Sequence, residues 1–318
     1  MPKKVLLDID PGVIDALAFC AMIFDSAVEV VAVTSVGGNV PAAVTARNLQ
    51  ALIEFIDPPR LPRIGMGTAA DIDLPFDFCH LYGNDGLCGV ALPVAELRMQ
   101  HQAEKVICDT IRSDPENIMI ICLGPLTNIA RAFIRDPDLP NLVRHIYISG
   151  GTISRNGNVT PCAEFNIYAD PIAAKTVLDS QCMKTIVPLD VTDDLIFTLD
   201  DLDKLINDNK VGQFYRNILL PVFRGYRQFY GMEGIHIQDL ITYIAATRPK
   251  FTETEELPCD IETTNSLTRG VTVFDQRNKP KWKKNIDAVT ILNDTDLIIQ
   301  EIIKLLNNTS NKKQETIQ

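Results

Sequence analysis

The sequence predicts an α/β fold: a single domain whose mostly parallel central sheet is flanked by helices, with its site at the carboxyl ends of the strands. Three observations predict it. Short β-rich runs alternate with helix-period segments over most of the chain. The strand runs are continuous apolar stretches, as strands covered on both faces should be. Polar and glycine-rich residues gather directly after those runs, where ligands bind in open α/β sheets.

Taken in order, KVLLDI reads as the first strand and IDALAFCAMIF as its helix. VEVVAVTSV is the second strand, followed by the helix PAAVTARNLQALIEFI. NIMIICLG leads to the helix PLTNIARAFI, HIYISG leads through a long loop to DPIAAKTVLD, and KTIVPLD is a further strand. The strand ends carry DIDPGVID, SVGGNV, LGPLTN and GGTISRNGNVTPCAEFNIYADP. GMGTAA, from Gly65 to Ala70, matches a loose dinucleotide fingerprint, but the loop-like DIDLPFD follows where a helix is required.

The chain has 318 residues and a net charge of −11. Length alone suggests about two domains, but there is no internal repeat and no linker, so residues 1–307 are expected to form one domain and 308–318 a polar tail. The acidic balance argues against a nucleic-acid partner. The lysines between Lys279 and Lys284, beside Trp282, and the Lys312–Lys313 pair read as solvated surface. Eight cysteines without a CxxC pair read as buried thiols of a reducing, cytoplasmic compartment rather than a zinc site. No segment reads as a signal peptide, and none approaches the ~18 apolar residues of a membrane helix. Two sequons, at Asn307 and Asn308, would go unused in the cytoplasm.

The richest chemistry is in LLDIDPGVIDALAF, where Asp8, Asp10 and Asp15 surround a Pro-Gly pair at the first strand end. A single Asp there reads as an N-cap. Three repel one another unless a cation relieves them, and an all-oxygen set without Cys or His selects a hard ion, Ca²⁺ or Mg²⁺. Asp239 begins a second apolar helix, where a cap alone explains it. Asn158, Glu164 and Asn166 form a carboxamide and carboxylate group suited to a polyhydroxyl ligand, or to tying down their own loop. Of the four histidines, His80 and His236 fall in loops at the predicted site.

These motifs resemble the calcium-dependent nucleoside N-ribohydrolases of the inosine–uridine type, from Lys3 to about Leu306. The family opens with D-x-D-P-G-x-D-D-A, and this chain has DIDPGVIDA. SVGGN (Ser35–Asn39), YGNDGL (Tyr82–Leu87), LGPLTNIA (Leu123–Ala130), GNVTPCAEFNIYADP (Gly157–Pro171), VPLDVT (Val187–Thr192) and QDL (Gln238–Leu240) follow in the same order. The resemblance implies hydrolysis of the N-glycosidic bond of ribonucleosides to base and ribose. It implies Ca²⁺ held by Asp10, Asp15, Asp239 and the backbone carbonyl of Leu123, which replaces a usual Thr. Asp10 is implied as general base and Asp8 as a residue orienting the others. Asn39, Asn158, Glu164 and Asn166 are implied around the ribose, and Tyr82, Tyr226 and Gln238 near the base. A homodimer or homotetramer acting in nucleoside salvage follows by the same analogy.

Four departures stand out. Ile14 takes the place of a usual Asp at the ribose 2′-hydroxyl, where an unpaired buried hydroxyl costs ~1–3 kcal/mol. Tyr82 and Gln238 stand where histidines serve the leaving group, and Ser149 replaces a usual methionine. Tyr82, Tyr226 and Tyr230 could stack on a base instead. The expectation is therefore an active hydrolase of shifted specificity. The alternative is a catalytically impaired or ligand-binding descendant that keeps the metal site. A Mg²⁺ phosphohydrolase using the D-x-D is disfavoured by Pro11.

Overall fold

The computed structural model describes residues 2–67, 78–94 and 101–311. Its strands are β1 Lys3–Ile9, β2 Val28–Ser35, β3 Arg63–Met66, β4 Ile118–Cys122, β5 His145–Ser149, β6 Lys184–Val187, β7 Phe197–Thr198, β8 Gly234–Ile235, β9 Thr252–Leu257, β10 Cys259–Ile261, β11 Thr272–Phe274 and β12 Ile286–Leu292. The helices are α1 Val13–Phe24, α2 Ala42–Ile56, α3 Cys79–Tyr82, α4 Ala103–Ser113, α5 Thr127–Arg135, α6 Phe165–Ala169, α7 Pro171–Leu178, α8 Leu189–Thr192, α9 Leu199–Asp203, α10 Lys210–Gly225, α11 Gln238–Thr247 and α12 Thr295–Asn311.

Eight strands form the central sheet in the order β3-β2-β1-β4-β5-β6-β12-β9. Every neighbouring pair is parallel except β12 with β9. The chain winds outward from β1 through β2 to β3, then returns to pair β4 on the other side of β1. That reversal opens a crevice at the carboxyl ends of β1 and β4, where open α/β sheets bind ligands. Asp10 follows β1 and Leu123 follows β4. The two strand ends are joined where Leu123 N–H donates to the Asp8 carbonyl at 2.9 Å.

Side-chain alternation divides the core. Val5, Leu7 and Ile9 of β1 face the layer containing α1, α10, α11 and α12, while Leu6 faces the layer of α4, α5 and α7. Helix α1 is buried on all sides, which its sequence VIDALAFCAMIF anticipates. It packs beside α11 and α12. Its neighbour α11 is buried from Asp239 to Ala246, so two helices that begin at the crevice are held by core burial.

The fingerprint GMGTAA lies partly outside the described residues, and Gly65 and Met66 belong to β3. DIDLPFD and the Lys312–Lys313 pair lie outside them entirely. Helix α12 continues to Asn311, past the boundary expected at residue 308. Thr309 is buried there and donates to the Cys20 carbonyl at 3.2 Å. The long loop after β5 contains the short helix α6.

Candidate active site

The crevice holds a cavity of about 360 Å³, within the range of small-molecule sites. It is lined by Asp10, Ile14, Asp15, Asn39, Leu123, Asn158, Glu164, Asn166, Asp239, Tyr82, Tyr226 and Gln238, among others. The structure thus brings to one cavity the residues that the resemblance implies for metal, catalysis and substrate, whereas Asp8 of the aspartate cluster does not line it. His236 and Tyr230 also line it, whereas His80 is exposed and packs edge-on against Phe229 at 4.8 Å.

Asp10 is clamped from both sides. The backbone and side-chain N–H groups of Asn39 donate to its Oδ2 at 3.0 and 3.2 Å. A Cβ on Gly38 would stand 2.0 Å from that oxygen, and one on Gly124 would stand 2.6 Å from Oδ1. Gly38 of SVGGN and Gly124 of LGPLTN are thus required by close approach to this carboxylate.

Asp15 lies in the first turn of α1. Its Oδ2 accepts from Gly12 N–H at 3.3 Å, as a helix-start carboxylate does. Its Oδ1 is buried without a hydrogen-bond partner, so capping accounts for only half of this side chain. Asp239 sits in the first turn of α11 but is not the cap, which is Ile237. Ser149 Oγ reaches its Oδ1 at 3.5 Å. Asp8, fully buried, accepts from the Thr34 hydroxyl and from Asn128 Nδ2, the latter at 2.8 Å. It joins β1 to β2 and α5 just behind Asp10.

Burial pushes all of these carboxyls up, Asp8 to about 7. The charge of Asp15 raises Asp10 and Asp239 further. Among the described residues lining the cavity there is no lysine or arginine to offset this charge. The N-termini of α1 and α11 supply partial positive charge, but burial outweighs it. The orphaned Asp15 oxygen and the mutual repulsion fit a hard divalent cation with oxygen ligands. Among the described residues, no three His, Cys, Asp or Glu side chains are arranged around a common metal position as they stand.

The amide wall has its own internal bonds. Glu164 caps α6, accepting from Asn166 N–H at 2.9 Å, Ile167 N–H at 3.1 Å and Gly151 N–H at 3.0 Å. Burial pushes its carboxyl up to about 7. Asn158 accepts from Phe165 N–H at 2.9 Å. Asn166 Nδ2 donates to the carbonyls of Leu123 at 2.7 Å and Ser149 at 3.0 Å. The loop-tying reading of these residues is therefore correct, and capacity remains beyond it: one acceptor site on Glu164 Oε1, the Asn158 amide donors and the Asn166 carbonyl.

An aromatic wall completes the cavity. Tyr226 and Tyr230 flank a π-helical turn, Tyr226–Tyr230, that extends α10; such turns recur at functional sites. Their rings meet edge-on at 5.3 Å. Burial and the neighbouring Tyr226 push the Tyr82 phenol well up, and burial pushes Tyr226 up to about 12, so both remain neutral. Ile14 is buried at the cavity wall and part of the adjoining core.

Sequence reasoning missed Asp190 and Asp193. Asp190 accepts from the N–H groups of Ile153 at 2.6 Å, Ser154 at 2.8 Å and Arg155 at 3.1 Å, and so anchors the loop after β5. Burial opposes its charge, but these donors hold its carboxyl below the usual range. Asp193 lines the cavity beside His236. Asp190 lies within the quoted VPLDVT motif and Asp193 directly after it, but neither was assigned a role there.

Fold and cavity together define an α/β enzyme with a carboxylate-rich pocket at the switch point of its sheet. Known proteins make this definition specific. The family described as inosine-uridine preferring nucleoside hydrolase matches residues 5–298. A probable uridine nucleosidase of Arabidopsis thaliana is 31% identical over 320 residues, covering 96% of this chain and 97% of that protein. A non-specific ribonucleoside hydrolase of Escherichia coli is 33% identical over 279 residues, covering 86% and 89%. A plant nucleoside hydrolase structure superposes with a TM-score of 0.87 at 26% identity, covering 96% and 99%. This chain belongs to the inosine-uridine preferring nucleoside hydrolase family, hydrolases that act on nucleosides. Among the described residues no helix is long and apolar enough to cross a membrane.

Proposed function

We propose that the protein cleaves the N-glycosidic bond of ribonucleosides, releasing free base and ribose, with Asp10 as the base that takes a proton from the attacking water. The observation that carries this reading is one cavity that joins buried carboxylates, a carboxamide wall and an aromatic wall. That combination suits a ligand with a polyhydroxyl ring at one end and a planar base at the other. The family match and the ribonucleoside-hydrolysing relatives support the same reading.

Asp10, Asp15, Asp239 and the Leu123 carbonyl would hold Ca²⁺. The Leu123 carbonyl accepts one bond from Asn166 and keeps a second lone pair. When bound, the ion supplies positive charge that keeps these carboxylates ionised, orients ribose hydroxyls and acidifies water. Asn39 holds Asp10 in place. Asn158, Glu164 and Asn166 take the ribose hydroxyls with the bonding capacity left over from their loop. Carboxylates around the ring stabilise the positive charge that develops on the sugar. Tyr82, Tyr226 and Gln238 meet the base, with the two tyrosines offering stacking. A cytoplasmic homodimer or homotetramer serving nucleoside salvage, without nucleic-acid or membrane partners, completes the proposal.

The second reading, a catalytically impaired or ligand-binding descendant, is favoured by one observation: Ile14 presents a buried apolar side chain to the cavity that contains the ribose-binding set. One assay separates the two. Ribose release is measured as reducing sugar on a panel of ribonucleosides and 2′-deoxyribonucleosides, with and without a calcium chelator. Chelator-sensitive turnover is expected. No turnover on any nucleoside while calcium still binds would replace the hydrolase reading with the second one.

A further inference from the structure

Departure of a base from C1′ leaves an electron pair on a ring nitrogen, and a proton must reach it. Gln238, an amide, supplies none. The buried tyrosines of the aromatic wall are held too weakly acidic for the task. Among the described residues lining the cavity, His236 is the sole imidazole. It follows β8 and precedes the cap of α11, so both neighbouring elements fix its backbone. Its Nδ1 is buried without a hydrogen bond. The nearest acid is Asp193, at the carboxyl end of α8, with Oδ1 3.7 Å from that nitrogen. This is too long for a hydrogen bond and close enough to attract an imidazolium. The ring meets Tyr226 edge-on at 5.9 Å.

We propose that His236, backed by Asp193, is the acid that protonates the departing base. This rests on the nucleoside hydrolase reading and assigns it a residue outside the family motifs quoted above. The C1′–N bond breaks with its electron pair passing to the base, and the imidazolium gives its proton to a base ring nitrogen. The water oxygen bonds C1′ and its proton passes to Asp10. Both groups then exchange protons with solvent, so nucleoside and water become ribose and protonated base. Asp193, 3.7 Å from Nδ1, stabilises the charged form of the ring through space. Arg155, whose guanidinium is paired with Asp194, opposes that charge, and burial lowers the resting ring's affinity for a proton.

The test uses the full-length protein with calcium, as wild type, His236→Gln and Asp193→Asn. Substrates are uridine, inosine and p-nitrophenyl β-D-ribofuranoside, whose nitrophenolate departs without a proton. His236→Gln should lower kcat on both nucleosides by roughly 10²–10⁴-fold, the usual span for a general acid. On the nitrophenyl riboside the loss should stay within a fewfold, which also shows that the variant is folded. Asp193→Asn should give the same split, smaller. Equal losses on all three substrates, or no loss on the nucleosides, would overturn the assignment while leaving the hydrolase reading intact. A wild type that cleaves none of the three would remove that reading, and this assignment with it.

Discussion

Asp10 has little room to move. A Cβ on either Gly38 or Gly124 would overlap its carboxylate, and Asn39 grips one oxygen twice. Asp10→Asn keeps the shape and removes the base, so ribose release should fall at least 10³-fold in a steady-state assay, with the circular dichroism spectrum unchanged. Gly38→Ala should displace the same carboxylate without touching its chemistry. A loss of roughly 10²-fold in kcat is expected there, and unchanged kinetics would show that the clamp is not needed. Ile14 bears on selectivity instead. An unpaired 2′-hydroxyl costs ~1–3 kcal/mol, so the wild type should discriminate weakly between ribo and 2′-deoxyribo substrates. Ile14→Asp should raise the ribo-to-deoxyribo ratio of kcat/KM by about tenfold or more. Because Ile14 also belongs to the core, the ratio within one variant is the informative quantity rather than its absolute rate.

At the scale of elements, the site depends on short connections held by acids that gather backbone N–H groups. Asp190 of α8 gathers the backbone of Ile153, Ser154 and Arg155. Thr152 N–H donates to Thr272 Oγ1 of β11 at 2.9 Å, so the β10–β11 hairpin braces the same loop. Asp190→Ala should therefore raise KM more than it lowers kcat, and should lower Tm. The pH dependence follows from the sign of the shift. The folded carboxyl is held below its unfolded value of ~3.9, so its stabilisation is complete near neutral pH and is lost as pH falls through the folded value. The Tm gap between wild type and variant, wide at pH 7, should narrow progressively as the pH falls below about 4 in calorimetric scans. A gap that does not narrow at all as the pH is lowered below about 4 would mean that packing, not the charge-assisted bonds, holds the loop.

For the whole molecule, the reversal in strand order matters most. It brings the ends of β1 and β4 together and seats α1 and α11 side by side with an Asp in each first turn. Four carboxyls raised by burial are a standing cost to the fold. Calcium binding should relieve it. At 100-fold excess over its Kd, a ligand specific to the folded state stabilises by about 2.7 kcal/mol, which for a chain of this size is several degrees in Tm. A thermal-shift titration should show that rise with calcium and its reversal by chelator. A flat response would remove the metal from the proposal.

The sequence by itself determined the alternation of strands and helices, the edge of the sheet where chemistry gathers, and the acidic character of the site. Apolar runs and turn residues are local features, legible without neighbours. The resemblance carried the assignment further, to Asn39, Leu123 and Asp239, which no local pattern joins to Asp10. The antiparallel pairing of β9 with β12 was not legible, because TETEEL lies at an exposed sheet edge and lacks the apolar run of a buried strand. Only the tertiary structure decided how the polar side chains of the site divide their bonds. One oxygen of Asp15 caps a helix while the other stays unpaired, and Glu164 and Asn158 tie down their loop yet keep bonding capacity. It also decided that His236 stands against Asp193, 43 positions earlier in the chain. Such pairings arise where separate elements converge at a switch point, and their energies depend on burial and distance, which exist only once the chain has folded.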